Sequence, residues 1–429
     1  MRRLALASLV LCFVGCGTAK QPSRAQQRAA ARAFATAVLA GDGHTARSLV
    51  AKDADRAVDE QAKRLSAGFA KHRAHFNGAA RRSGTAQWAF PYRRRVNGKN
   101  GAFSVERGFL GSWCAIELLR RGHRVRATVR DLAREPEVRA AIGSQVDPSE
   151  RLSLFAADLG QDAGWEEAAR GCEFVLHVAS PFPPKQPKDP DELIVPARDG
   201  TLRVLRAALG AGAKRVVITS SVAAVGGGVS SEEPLTEDDW TDLANPQLSP
   251  YVRSKTIAER AAWDFVEEGG ERDRIAVVNP GAILGPALSE DRSFSLEAIE
   301  RLLGGMPGVP RIGFSFVDVR DVADLQIRAM TAPEAAGRRL IAVGEFAWMS
   351  EVAEILRDRL GDDAAKVPTR RVPNLLVRAM GVFDPGVRSI VGQLGRRSSY
   401  SSERARTTLG WTTRPLEDTV VDTARSMLD

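Results

Sequence analysis

GFLGSWCAIELLRRGHRVRATVR, residues 108–130, decides the fold of this chain. Gly108 and Gly111 open directly into a helical pattern over 114–121, and a β-rich run over 125–129 comes next, ending at Arg130. A glycine at the first position lets backbone come close to a ligand, and one three residues on lets a helix pack tightly on a strand. Alone, Gly-x-x-Gly is no more than a helix-start turn. The alternation downstream of it supplies its meaning.

Further β-rich runs lie at 152–156, 174–178, 215–219 and 275–278, separated by helical patterns at 165–170, 193–209 and 251–267. Such alternation predicts an α/β fold, a doubly wound parallel sheet of Rossmann type with helices on both faces. Ligands of these sheets sit beyond the carboxyl ends of the strands. Gly108 is then placed to approach a pyrophosphate. Arg130 occupies the place where an acid reads the ribose of NAD or an arginine reads the 2′-phosphate of NADP. A guanidinium forks onto phosphate, which favours NADP(H), while the neighbouring Asp131 leaves NAD(H) open.

The chemistry is carried by Tyr251-Val-Arg-Ser-Lys255, with Ser220-Ser221 at the end of an apolar run about thirty residues upstream. Residues four apart project from the same helix face. An ammonium beside a phenol favours the phenolate and is expected to lower a pKa that ordinarily sits near 10. A tyrosine so tuned exchanges a proton near neutral pH, which carbonyl reduction by a bound hydride donor requires. Adjacent residues at a strand end face opposite ways, so only one of Ser220 and Ser221 can point into the site. His177, inside an apolar run, reads as a packed core histidine.

Taken together, the stretches Gly-Phe-Leu-Gly111, Ala-Thr-Val-Arg130, Ala-Ala-Asp158-Leu159 and Leu-His-Val178-Ala179-Ser180-Pro181 resemble the extended short-chain dehydrogenase/reductases. So do Ile-Thr-Ser-Ser221, Tyr251-Val-Arg-Ser-Lys255, Asn279-Pro280-Gly-Ala-Ile283 and Leu409-Gly-Trp411. The similarity is to the dihydroflavonol-reductase-like and cinnamoyl-CoA-reductase-like branch of the NAD-dependent epimerase/dehydratase superfamily, from Gly108 to the end. It implies catalytic roles for Ser221, Tyr251 and Lys255, with Ser221 preferred over Ser220. For the cofactor it implies Gly108, Phe109, Leu110, Gly111 and Arg130, with Asp158 and Leu159 flanking the adenine. Val178, Ala179 and Ser180 would line the middle of the cofactor, Pro280 and Ile283 the nicotinamide, and Tyr251 and Lys255 the ribose. Ser295 matches a more distant contact. Thr219 is followed by Ser-Ser-Val-Ala where sugar-nucleotide dehydratases carry Asp-Glu, which argues for plain carbonyl reduction.

These features give an NADP(H)-dependent reductase of an aldehyde, ketone or related carbonyl, as monomer or homodimer. Residues 101–285 form its dinucleotide-binding domain and 286–429 a substrate-binding region interleaved with the sheet. A nucleotide-sugar epimerase, or an envelope lipoprotein carrying a relic reductase fold, stands as the alternative.

The front of the chain reads differently. Arg2 and Arg3 precede a short apolar stretch ending Phe13-Val14-Gly15-Cys16, which resembles a bacterial lipoprotein signal with Cys16 as lipid anchor. That points to the cell envelope, whereas reductases of this resemblance are cytoplasmic. Residues 17–100 suggest a small α+β segment, helical over 21–76 and then a hairpin around Asn97-Gly-Lys-Asn-Gly101. From Gly17 to Arg107 there are eighteen Lys/Arg against six Asp/Glu, although the whole chain carries only +8. This basic stretch lacks interleaved aromatics or a binding module, so no nucleic acid is expected. Val105 stands where the family has its first loop glycine, and a β-branched residue there crowds phosphates. The front therefore reads as a lipoprotein segment joined to a reductase missing its first strand, with residues 102–105 either filling in as that strand or staying in the hairpin. Four cysteines, five scattered histidines and no metal-ligand spacing leave no disulfide framework and no metal site to expect.

Overall fold

The computed structural model describes residues 100–104, 108–181, 189–289, 293–383 and 385–428. The signal-like segment with Cys16, the helical pattern at 21–76, and Val105, Glu106 and Arg107 lie outside them.

The strands run β1 (Asn100–Ser104), β2 (Arg124–Val129), β3 (Leu152–Ala156), β4 (Phe174–His177), β5 (Arg215–Thr219) and β6 (Ser231–Leu235). They continue with β7 (Ile275–Pro280), β8 (Ala282–Leu284), β9 (Val309–Pro310) and β10 (Gly313–Asp318). Last come β11 (Arg339–Ala342), β12 (Phe346–Trp348), β13 (Arg371–Val372) and β14 (Ser398–Tyr400). Seven of these form the main sheet in the order β11-β7-β5-β4-β1-β2-β3. Every pairing within it is parallel.

β1 corrects the expectation of a missing first strand. Residues 100–104 lie centrally, with Gly101 opposite both Val125 of β2 and Phe174 of β4. A parallel ladder draws on backbone N–H and C=O groups, so a short strand with little apolar character serves once both neighbours are in place.

The helices are α1 (Phe109–Arg120), α2 (Glu135–Gly143), α3 (Trp165–Ala169), α4 (Asp191–Gly210), α5 (Ala223–Gly226) and α6 (Pro250–Glu268). After them come α7 (Phe294–Leu303), α8 (Val319–Thr331), α9 (Met349–Leu360) and α10 (Asn374–Phe383). The chain ends with α11 (Pro385–Val391), α12 (Glu403–Leu409) and α13 (Leu416–Leu428). α1 and α8 cover one face of the sheet through a core that includes Ile116, Leu119, Leu325 and the fully buried Trp411. α4 and α6 cover the other through Leu205, Ala262, Trp263 and Val266. All six residues of β7 are buried, and Ile275 to Val278 give it the apolar run of a strand covered on both faces.

A third core, built from Leu284, Leu296, Phe316, Met349, Leu356 and Val420, belongs to the later part of the chain. There β8, β10 and β12 form a small sheet. Trp411 ties this part to the main sheet, its indole N–H donating to the Asp321 carbonyl at 2.8 Å. Gly410 precedes it at φ 60°, in the left-handed region that ends α12 at little steric cost. Among the described residues no helix is long and apolar enough to cross a membrane, and no His/Cys/Asp/Glu group could hold a metal. Cys114 and Cys172 are free and buried, and burial pushes their thiols up, Cys172 to about 11.

Candidate active site

β5 ends at Thr219, and the chain runs on beside β7 through Ser220 and Ser221 before it turns into α5. Backbone bonds to β7 hold it there: Ser220 N–H donates to the Val278 carbonyl at 2.8 Å and Val222 N–H to the Pro280 carbonyl at 3.0 Å. The two serines part as alternation requires. Ser220 donates inward to Glu259 Oε2 at 2.5 Å. Ser221 accepts from Ala223 N–H at 3.1 Å, and its hydroxyl draws the pKa of the neighbouring Tyr251 phenol down.

Tyr251 stands in the first turn of α6. Ser249 caps that helix, accepting from Val252 N–H at 3.3 Å, and Pro250 supplies the preset φ of the first position. Lys255 sits one turn on and is buried, only 9% exposed. Burial drives its pKa down to about 8, against an upward pull from Glu259. The phenol does not behave as the sequence suggested. Burial raises its pKa, and Ser221 offsets only part of that. Desolvation of an anion-forming group outweighs its neighbours here.

One turn further, Glu259 is fully buried and satisfied by many donors. It accepts from Ser220, from Asn279 Nδ2 at 2.7 Å and from Arg339 Nε at 2.6 Å. Asn279 also donates to the Ser221 carbonyl at 3.2 Å. Arg339 reaches on to the carbonyls of Glu237 and Asp239 at 2.8 and 2.6 Å. This network locks the serine turn, the tyrosine helix and β11 together. Sequence reasoning missed it, because Arg339 lies 80 residues from Glu259; their signal, two charged residues within apolar patterns, is legible only once burial is known.

His177 is buried, as expected of a core histidine. It bonds the Thr201 hydroxyl at 3.2 Å, and that hydroxyl donates to the Ala197 carbonyl at 2.8 Å. Thr201 Oγ1 must therefore accept, which puts the imidazole proton on Nε2. Burial and the Lys255 charge push the histidine pKa down to about 3.

A cavity of about 270 Å³ opens beside the start of α1, lined by Gly108, Phe109, Ser112, Val129, Arg130 and Asp131, together with α2 and its approach. Gly108 caps α1 in extended geometry, and among the described residues no side chain makes a cap hydrogen bond to its first N–H groups, the arrangement that receives an anion at a helix N-terminus. Arg134 faces the same cavity, four residues beyond Arg130, as do Leu288 and Ser289 from the segment after β8. None of these three belongs to a motif legible in the sequence.

The remaining candidates are spread along the strand ends. Leu110 and Gly111 are buried against the core, as close helix–strand packing requires. Asp158 turns back on its own backbone, accepting from Gly160 N–H at 2.6 Å, and Leu159 packs within 3 Å of where a Cβ on Gly200 would stand. Val178, Ala179 and Ser180 come directly after β4; Ala179 is buried and its two neighbours partly exposed. Pro280 ends β7 and is buried, and Ile283 lies in β8, partly buried. Ser295 sits in the first turn of α7 and is not among the residues lining the cavity.

The construction defines a class: a doubly wound α/β protein with a serine, tyrosine and lysine at the carboxyl ends of its strands and, after β1, a helix that starts at an uncapped glycine beside a separate cavity. The NAD dependent epimerase/dehydratase family matches residues 106–344, and the chain belongs to that family. A cinnamoyl-CoA reductase of Medicago truncatula is 36% identical over 291 residues, covering 64% of this chain and 88% of that protein. A putative anthocyanidin reductase of Ginkgo biloba is 35% identical over 306 residues, covering 65% and 86%. Among solved structures, Gre2 from Candida albicans in complex with NADPH superposes with a TM-score of 0.64 at 25% identity, over 77% of this chain and 98% of that one.

Proposed function

We propose that this chain reduces an aldehyde, ketone or related carbonyl at the expense of NADPH. The observation that carries the reading is the gathering of Ser221 beside the Tyr251 phenol, whose pKa it draws down, with Lys255 buried one helical turn further along α6. The named relatives are reductases, and one structural neighbour holds NADPH.

The residues present fit that cofactor. Gly108 and the bare N-terminus of α1 suit a pyrophosphate. Arg130 and Arg134, both on the cavity wall, suit a 2′-phosphate. The Lys255 ammonium, buried and facing the strand ends, suits ribose hydroxyls. When bound, NADPH supplies the hydride that no side chain here can give.

The chain itself handles the proton and the geometry. Ser221 Oγ holds the substrate oxygen alongside the phenol, and Tyr251 Oη donates its proton to that oxygen as negative charge develops. A phenol kept protonated by burial is loaded for this step across the physiological range. Lys255 keeps a positive charge near the phenolate left behind. The Glu259 network holds Ser221 and the start of α6 in register, so that the two hydroxyls meet.

Replacing Tyr251 by Phe tests the reading. NADPH-dependent turnover of a small aldehyde is expected to fall by about 10²–10⁴-fold, with NADPH still bound. Unchanged turnover would refute the assignment.

A further inference from the structure

Helix α10 turns its apolar side outward. Only Val377 and Gly381, one turn apart, face the interior. On the opposite side Leu375 is 81% exposed, Val382 64% and Phe383 89%, with Leu376 and Met380 beside them. The helix is held in this attitude. Arg388 of α11 donates to the carbonyls of Gly381 and Val382 at 2.8 and 2.5 Å, and a Cβ on Gly381 would stand 2.9 Å from Val391. An apolar face fixed toward solvent on a well-tied helix marks an interaction site.

The charge around it says what kind. Residues 366–397 carry seven Lys/Arg and one acid, Asp384. Lys366, Arg370, Arg371, Arg378, Arg396 and Arg397 are all exposed, and none is ion-paired among the described residues. A second copy meeting this face about a two-fold axis would set one positive surface against another, which opposes association. An apolar helix face that carries Arg378 and lies within a basic stretch of chain instead matches a bilayer whose headgroups are anionic: leucine and phenylalanine enter the acyl boundary, and the guanidinium groups meet phosphates.

We infer that α10 and its basic surround form a peripheral docking surface for anionic lipid membranes, which brings the reductase alongside the bilayer. The inference does not depend on the proposed reaction, because its test reads binding.

The full chain is mixed with vesicles of phosphatidylcholine alone, or of an equimolar phosphatidylcholine–phosphatidylglycerol mixture, and sedimented. Binding is expected to the mixture and to be lost at high salt. The exposed double variant Leu375→Glu/Phe383→Glu is expected to bind more than about 10-fold more weakly. The triple variant Arg370→Gln/Arg371→Gln/Arg378→Gln is expected to lose about 100-fold. Both variants retain the wild-type circular dichroism and NADPH-dependent turnover. Because every comparison keeps residues 1–99, the differences report on α10 and its surround. Equal binding to neutral and anionic vesicles overturns the inference, as do variants that bind like the wild type. Sedimentation velocity showing a dimer that the double variant dissolves would assign the face to a second copy. A raised KM with unchanged vesicle binding would assign it to substrate entry.

Discussion

Lys255 sits in the protein at a thermodynamic loss, and its removal should make the fold more stable. Burial lowers its pKa from 10.5 to about 8, even with Glu259 pulling the other way. That displacement corresponds to roughly 3 kcal/mol of disfavour for the charged form in the folded state. The sign comes from linkage. Below about pH 8 the lysine is charged both folded and unfolded, and the full cost is present. Between about pH 8 and 10.5 the folded chain has shed the proton while the unfolded chain keeps it, so wild-type stability climbs with pH. Lys255→Met fills similar space without the charge, and Glu259 keeps Arg339, Asn279 and Ser220 as partners. The variant should therefore be more stable at about pH 7 by about 1–3 kcal/mol, with the difference shrinking toward zero near pH 10.5. Urea unfolding of cofactor-free protein, followed by tryptophan fluorescence across that range, measures it. A variant less stable than wild type at neutral pH, or a difference that does not change with pH, would refute the reasoning. Its reductase activity should be lost, which separates the cost of the lysine from its use.

Arg130→Ala should weaken NADPH binding by roughly 10-fold or more while leaving NADH nearly unaffected, because only the former carries a 2′-phosphate; KM for each cofactor gives the answer. Glu259→Gln should cost about 3–5 kcal/mol, since Arg339 would be left buried without its counter-charge, and thermal unfolding reads this directly. His177 stays neutral down to about pH 3 when folded, while the unfolded chain protonates it near 6.5. Wild-type stability is thus expected to drop with falling pH between those values, and His177→Gln should remove about one proton's worth of that slope in acid titrations.

The doubly wound sheet was legible because runs such as Val125 to Val129 and Ile275 to Val278 are rich in β-branched residues, short and spaced by helical patterns. That Ser220 and Ser221 face opposite ways was legible too, from alternation at a strand end, but the preference for Ser221 came from the family resemblance and not from spacing. β1 was ambiguous for a physical reason. Residues 100–104 lie in a turn-rich composition, and only pairing with β2 and β4, from distant sequence, decides their role. The phenol was misjudged because spacing reports which residues are neighbours but not how much water surrounds them. Glu259 and Arg339, and the approach of Leu288 and Ser289 to the cavity by Arg130, are products of tertiary closure and have no local sequence signature.

The position of β11 bears on how this protein can be made and cut. The edge of the main sheet beside β7 is supplied by residues 339–342, well past the point where the dinucleotide-binding motifs end. A ribosome must therefore release most of the chain before that border closes. Until then β7 presents an open row of amide and carbonyl groups, an invitation to intermolecular pairing. A fragment trimmed at Gly285 to isolate the nucleotide half would keep this raw margin permanently, along with the carboxylate of Glu259 deprived of Arg339. Such a fragment should collect in inclusion bodies, whereas one extended through Trp411 should not.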